Sequence, residues 1–237
     1  REMLEAGYLF QRSHWHQGYA TEAASACMDY AFGSLNSPIV CSIIRDNNLP
    51  SQQVALRNGM TRRSGVIIKY YRGAEMPHWL FIKPRTIRTV RYQSPCGEML
   101  LGAAGDRLCL CNWAKELHPG RVEQRLRTLL KAQFEDCGQI LPEVLRQTVR
   151  ELDEYFRGER KDFDIPLLLA GSDFQKRVWQ QLPNIPYGQT VSYGELAATI
   201  GSLRSVRAVA NANGANAISI ILPCHRVIGS DGRLTGY

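Results

Sequence analysis

The sequence has no apolar run approaching the roughly 18 residues of a helical membrane span, so it offers no candidate for one. It has no Gly/Ser-rich linker, no low-complexity tract and no internal repeat, which argues against tethered modules and solenoids. Its seven cysteines are an odd number and include no Cys-x-x-Cys pair. Cys109 and Cys111 fall on an expected strand with no matching partners, a poor zinc pattern. The expectation is therefore reduced thiols, a cytoplasmic setting and no metal. No signal peptide can be read in a sequence that begins at Arg1 and not at methionine, and no membrane partner is expected.

What is present is the composition of a soluble globular protein: 237 residues, 44% hydrophobic and 22% charged. That length holds one large domain or two small ones, with bulk for a real core. The net charge of +7 suits a polyanion such as DNA, and equally an inert basic surface.

The stretch richest in chemistry is Ile220-Ile221-Leu222-Pro223-Cys224-His225-Arg226-Val227. A cysteine is a strong nucleophile as thiolate, and adjacent imidazole or cationic groups favour that form. Cys224 is thus either a reactive thiol or a buried structural residue at a strand end. Pro223, His225 and Arg226 weigh towards reactivity, because an apolar cysteine site has no need of such polar neighbours.

Upstream, in order, lie Asp173-Phe174-Gln175-Lys176-Arg177-Val178-Trp179, Ile185-Pro186-Tyr187-Gly188-Gln189-Thr190-Val191-Ser192-Tyr193, Arg204-Ser205-Val206-Arg207-Ala208-Val209 and Asn216-Ala217-Ile218-Ser219. Gly229-Ser230-Asp231-Gly232 follows the cysteine. With Pro223-Cys224-His225-Arg226-Val227, these segments resemble, in order and spacing, the O6-alkylguanine-DNA alkyltransferases (methylated-DNA–protein-cysteine methyltransferases) over about residues 86–237. A bare Pro-Cys-His would be weak; the ordered set is specific.

Residues 1–83 stand outside that pattern. Arg12-Ser13-His14-Trp15-His16-Gln17-Gly18-Tyr19-Ala20-Thr21 runs into a helix expected over Glu22–Phe32, a turn-before-helix arrangement that presents backbone N–H groups to an anion. A strand is expected over Val40–Ile44, and Asn48-Leu49-Pro50-Ser51 opens a second helix ending at Arg57. This resembles the second half of a GNAT acetyltransferase of the ribosomal-protein N-acetyltransferase type. The resemblance implies acetyl-CoA as cofactor, its pyrophosphate on the turn at Gly18 and Ala20 and its pantetheine arm beside Asn48 and Ser51. His16 stands where the family's loop has its first glycine, and the family's opening strands are missing. The expectation for this segment is a remnant, joined to the rest at Lys83-Pro84-Arg85.

The fold expected overall is α+β in two parts. A partial GNAT α/β segment over 1–83 precedes a small antiparallel-sheet α/β subdomain over 86–165, then a mainly helical helix–turn–helix domain over 170–237. In the second part, strands are expected over Thr86–Gln93, Met99–Ala103 and Leu108–Trp113. Helices are expected over Arg121–Phe134 and Pro142–Phe156. Ser172 with Gln175 makes a capping box, and Phe174, Val178 and Trp179 face inward. Ser192 caps Tyr193–Ile200, Gly201 turns, and Arg204–Asn213 forms the second helix of a helix–turn–helix. That helix is thin (Ala208, Ala210, Ala212), which suits a minor groove only about 6 Å wide.

The resemblance then implies site roles. Cys224 is the alkyl acceptor, with no cofactor, and His225 takes its proton through a water. Tyr193 donates to guanine N3 as charge develops on the leaving ring. Arg207 replaces the flipped base in the stack, although a phosphate contact would also explain it. Ser205, Ala208 and Arg226 are placed at the DNA; Asn216, grouped with them, ties the helix–turn–helix to the active-site strand. Pro223, Val227 and Tyr237 line the pocket. The partner is double-stranded DNA carrying O6-alkylguanine, bound by a monomer from the minor groove. The family's histidine-orienting glutamate would lie beyond Tyr237, after a Gly-Gly turn and a lysine, so weak or no transfer is expected of the sequence as it stands. Three competing readings are an acetyltransferase, a non-catalytic alkylguanine-binding module and a reduced structural protein; Cys224 itself counts against the second.

Overall fold

The computed structural model describes residues 3–115 and 120–233. The chain forms two compact units, one of residues 1–86 with 130–133, the other of 87–129 with 134–237.

The first unit contains β1 (Leu4–Glu5), α1 (Tyr19–Gly33), β2 (Ile39–Arg45), α2 (Leu49–Arg57), β3 (Thr61–Arg62), β4 (Ile67–Tyr71) and β5 (Ala74–Pro84). β5 is the central strand: β2 runs antiparallel to it with Ile39 opposite Pro84, and β3 and β4 also pair with it. β1 adds to β2 in parallel. Met28, Val40, Ile44, Ala55 and Phe81 form the core. The β4–β5 hairpin was not legible in the sequence. Apart from Ile67, β4 is exposed throughout, so its residues lack the alternation of a half-buried strand. Its pairing is set instead by the turn, where Arg72 and Gly73 both have positive φ (49° and 79°), as a two-residue type I′ hairpin requires.

The second unit contains β6 (Thr86–Ser94), β7 (Gly97–Ala104), β8 (Arg107–Trp113), α3 (Arg121–Leu130), β9 (Gln133–Asp136), α4 (Glu143–Phe156), α5 (Asp173–Gln181), β10 (Val191–Ser192), α6 (Tyr193–Thr199), α7 (Val206–Gly214) and β11 (Val227–Ile228). The strand order of its sheet is β8-β7-β6-β9. The helix expected to reach Phe134 stops at Leu130. Lys131 adopts φ 48°, which ends the helix, and β9 follows.

The two subdomains expected on either side of residues 165–170 share one core. Tyr92, Met99 and Leu101 of the sheet pack in the same cluster as Leu145, Trp179, Leu196, Val209 and Leu222. Ser172 closes the expected capping box: its hydroxyl accepts from Gln175 N and the Gln175 side chain accepts from Ser172 N. Trp179 is buried, and its indole N–H donates to the Ala212 carbonyl at 2.7 Å, tying α5 to α7.

Candidate active site

The apolar run before Cys224 is not a regular strand. β8 reaches it through Cys111, whose amide donates to the Ala217 carbonyl (2.8 Å) and whose carbonyl accepts from Ser219 N (2.6 Å). Ile218 and Cys111 form an isolated parallel bridge, and the Ser219 hydroxyl adds a bond to the Asn112 side chain. Beyond it the chain folds through two three-residue turns. Ile220 has φ 72°, uncommon for a β-branched residue, and Ile221 N donates across it to Ser219 O (2.9 Å). Pro223, at φ −78° and ψ 63°, has the inverse γ-turn conformation, and Cys224 N donates across it to Leu222 O (2.7 Å). Cys224, His225 and Arg226 then make one 3-10 turn.

Three connections fix this turn against the helix–turn–helix, the third being the bond from Asn213 of α7 to the Cys224 carbonyl. β11, just after it, pairs in parallel with β10, Val191 opposite Val227 and Ser192 opposite Ile228. The same short ladder leads into α6, so Tyr193 starts a helix beside the strand that leaves the Cys224 turn. Ser192 caps α6 through a reciprocal box with Glu195. Buried Asn216 makes the second connection. Its Nδ2 donates to Leu222 O (2.9 Å) and Ile218 O (3.3 Å), and its Oδ1 accepts from Ile218 N (2.9 Å).

Cys224 and Tyr193 are buried, at 8% and 7% exposure. Pro223 is buried and Val227 fully so. His225 reaches the surface, while packed protein atoms crowd the rest of its side chain. That desolvation, followed by the charge of Arg226, lowers its pKa from the ordinary 6.5, so the imidazole is neutral near pH 7 and able to accept a proton. Burial drives the Cys111 thiol pKa strongly upward, which leaves that thiol inert. All seven cysteines are described and none is in a disulfide. Among the described residues, no group of three His, Cys, Asp or Glu side chains is placed to hold a metal ion. No helix among them is long and apolar enough to cross a membrane.

On α7 the residues sort by face. Arg207, Ala208 and Asn211 are exposed, as is Arg204 in the preceding 3-10 turn, while Val209, Ala212 and Asn213 are buried. Ser205 is half-buried at the helix start. Two of the residues expected at the DNA lie elsewhere. Arg226 is 7% exposed, donates to the Ile185 carbonyl at 2.6 Å and lies over the Tyr187 ring. It braces the turn from inside, because its guanidinium finds a carbonyl and an aromatic face within the protein. Asn216 is likewise spent on internal bonds and acts as the tie, not as a DNA contact. Tyr237 lies outside the described residues.

Sequence reasoning missed Asn213, whose Nδ2 donates to the Cys224 carbonyl at 3.1 Å. The signal was present: Asn213 belongs to the stripe Val209, Ala212, Asn213 and Asn216 at helical spacing, and an amide on an apolar stripe is there for a partner. The Val191–Val227 ladder was also missed, since two-residue strands leave no pattern.

In the first unit, Gly18 caps α1 at φ 87° and His16 takes φ 61°, the left-handed conformation that glycine adopts most easily. Asn48 caps α2 by accepting from Ser51 N (3.2 Å), and the Ser51 carbonyl accepts from the Tyr8 hydroxyl. An open cleft of about 780 Å³ is lined by Gly18, Thr21, Glu22, Asp29 and Arg57 among others; Ala20, Asn48 and Ser51 do not line it.

The second unit is thus a helix–turn–helix protein with a cysteine–histidine pair held directly behind its second helix. Residues 173–237 match the family described as 6-O-methylguanine DNA methyltransferase, DNA binding domain, and residues 87–169 match its ribonuclease-like domain. Residues 1–61 match the acetyltransferase (GNAT) domain. A methylated-DNA–protein-cysteine methyltransferase of Methanosarcina acetivorans is 42% identical over 146 residues, 62% of this chain and 86% of that protein. That of Mycolicibacterium paratuberculosis is 55% identical over 96 residues, 40% of this chain and 58% of that protein. The solved structure of Mycobacterium tuberculosis O6-methylguanine methyltransferase superposes with a TM-score of 0.52 at 41% identity, covering 64% of this chain and 83% of that one. Mycobacterium tuberculosis OGT in complex with DNA gives 0.51 at 39% identity over the same shares. The chain belongs to the methylated-DNA–protein-cysteine methyltransferase family.

Proposed function

We propose that this protein repairs DNA by moving the alkyl group of O6-alkylguanine onto its own Cys224. The observation that carries the reading is the placement of Cys224 in a turn bonded to α7 by Asn213 and paired through β11 to the strand that starts α6. Arg207 and Ala208, on the outer face of α7, would meet the duplex from the minor groove, with Arg207 filling the gap left by the flipped base. The protein acts as a monomer, in the cytoplasm, with no cofactor for this step.

Neutral His225 takes the Cys224 proton through a water. The thiolate then attacks the alkyl carbon in line, the S–C bond forms as the C–O6 bond breaks, and guanine leaves with the electron pair. Tyr193 donates a hydrogen bond to the ring as that charge develops, where a buried donor contributes most. Pro223 and Val227 wall the pocket. The thioether is stable, so each molecule reacts once.

Acetyl transfer is the less favoured reading. The cleft beside Gly18 is lined by the acidic Glu22 and Asp29 against one cation, Arg57, among the described residues, and Asn48 already serves as a helix cap. We therefore assign alkyl transfer to the chain and no acetyl-CoA chemistry to residues 1–61.

The test is intact mass after incubation with a duplex carrying O6-methylguanine, beside Cys224→Ala. One added methyl, absent from the variant, supports the reading. A methyl on another residue, or neither a methyl nor binding to the lesion, rejects it.

A further inference from the structure

We infer that Asn213 is a positioning residue that sets the nucleophile at a fixed offset from the DNA-facing side of α7. The inference rests on the alkyl-transfer reading. α7 carries Arg207, Ala208 and Asn211 outward and Val209, Ala212 and Asn213 inward. From Arg207 to Asn213 the helix rises about 9 Å, and at the inner end Nδ2 of Asn213 donates to the carbonyl of Cys224 itself (3.1 Å). A rigid helix bonded at one end to the nucleophile's own peptide transmits its docked position to that peptide without an intervening loop.

The other half of the amide shows that stability does not explain the residue. Asn213 is 1% exposed, and its Oδ1 is buried with no hydrogen-bond partner among the described residues. An unsatisfied buried acceptor costs stability, and a leucine of similar shape would avoid that cost. What Nδ2 holds is therefore the reason for an amide here. Asn216 does different work: its bonds run to Ile218 and Leu222, upstream of the nucleophile, and none reaches Cys224.

The experiment compares two substrates in single-turnover kinetics: a duplex carrying O6-methylguanine, and O6-benzylguanine as the free base, which docks without α7 holding a duplex. In Asn213→Leu the rate at saturating duplex falls about tenfold, the worth of one buried hydrogen bond. The free-base rate falls less than about threefold and the duplex Kd stays within about twofold. Asn213→Ser, which adds no bulk and is too short to reach the carbonyl, reads the same ratio if the leucine variant does not fold. An equal loss on both substrates, or a loss accounted for by weaker duplex binding, overturns the inference. Wild-type protein that reacts with neither substrate overturns the alkyl-transfer reading, and this inference falls with it.

Discussion

Val191 and Val227 lie opposite one another in a parallel ladder of only two residue pairs, and through it the strand leaving the nucleophile turn is held against the strand that starts α6. Val227 is fully buried. Val227→Ala removes two methyl groups where the surrounding core is already packed, at a cost of about 2 kcal/mol. The urea midpoint should fall accordingly with an unchanged m-value. Alkyl transfer should slow as well, because the same contact sets the spacing between Tyr193 and Cys224.

Asn216 offers a larger effect. Asn216→Ala strands the buried Leu222 and Ile218 carbonyls and the Ile218 amide, all now bonded to one side chain. At roughly 1–3 kcal/mol for each group left unsatisfied, partly relieved by water, the loss should reach about 3 kcal/mol. Thermal unfolding measures it. Asn216→Asp separates the two halves of the amide: it keeps the acceptor for Ile218 N and turns a donor into a carboxylate facing two carbonyls, so it should be no more stable than the alanine variant.

These cases show what could be read from the sequence and what could not. The α5 and α6 starts were legible because Ser172 and Ser192 each sit three residues before a Gln or Glu, a local signal that needs no tertiary partner. Arg226 was misplaced because a cation beside a nucleophile reads as facing the substrate. Its actual partner, the Ile185 carbonyl, lies forty-one residues away in sequence and leaves no local trace. The extended path expected through Ile220 failed for a similar reason. Three apolar residues in a row look like a strand, but Ile220 takes a positive φ just after Ile218 is bridged to Cys111, a non-local partner. What the boundary signal between the two expected subdomains does not record is that α5, α6 and α7 bury their apolar faces against the same core as the sheet, a fact of packing.

Arg207 separates a DNA-contacting role from a decorative surface charge. It is exposed on α7. Arg207→Ala should weaken binding to undamaged duplex and reduce the slope of log K against log salt by about one, if the guanidinium neutralises a phosphate. If it occupies the base stack, the salt slope stays closer to wild type while the lesion-specific rate falls more than the affinity. A variant indistinguishable from wild type in both measurements would remove α7 from the interface.

His225 makes a prediction whose sign can be worked out. Its folded pKa lies below the ordinary 6.5, first through desolvation and then through the neighbouring Arg226 charge. The unfolded chain therefore takes up the proton more readily than the native one. The histidine's contribution to stability is fully present above about pH 6.5 and is lost as pH falls towards and through the folded value. Alkyl transfer follows the same direction, since protonated imidazole cannot accept the thiol proton: the rate should be level near neutrality and drop on acidification, with a midpoint below 6.5. In His225→Gln that acid limb should disappear, and the rate near neutrality should fall about 100-fold, the lower range for loss of a general base. Arg226→Met tests the second cause. Removing the cation lets the histidine pKa rise, so the acid limb of the surviving activity should move to higher pH; a limb that stays in place or moves lower would separate Arg226 from the titration of His225.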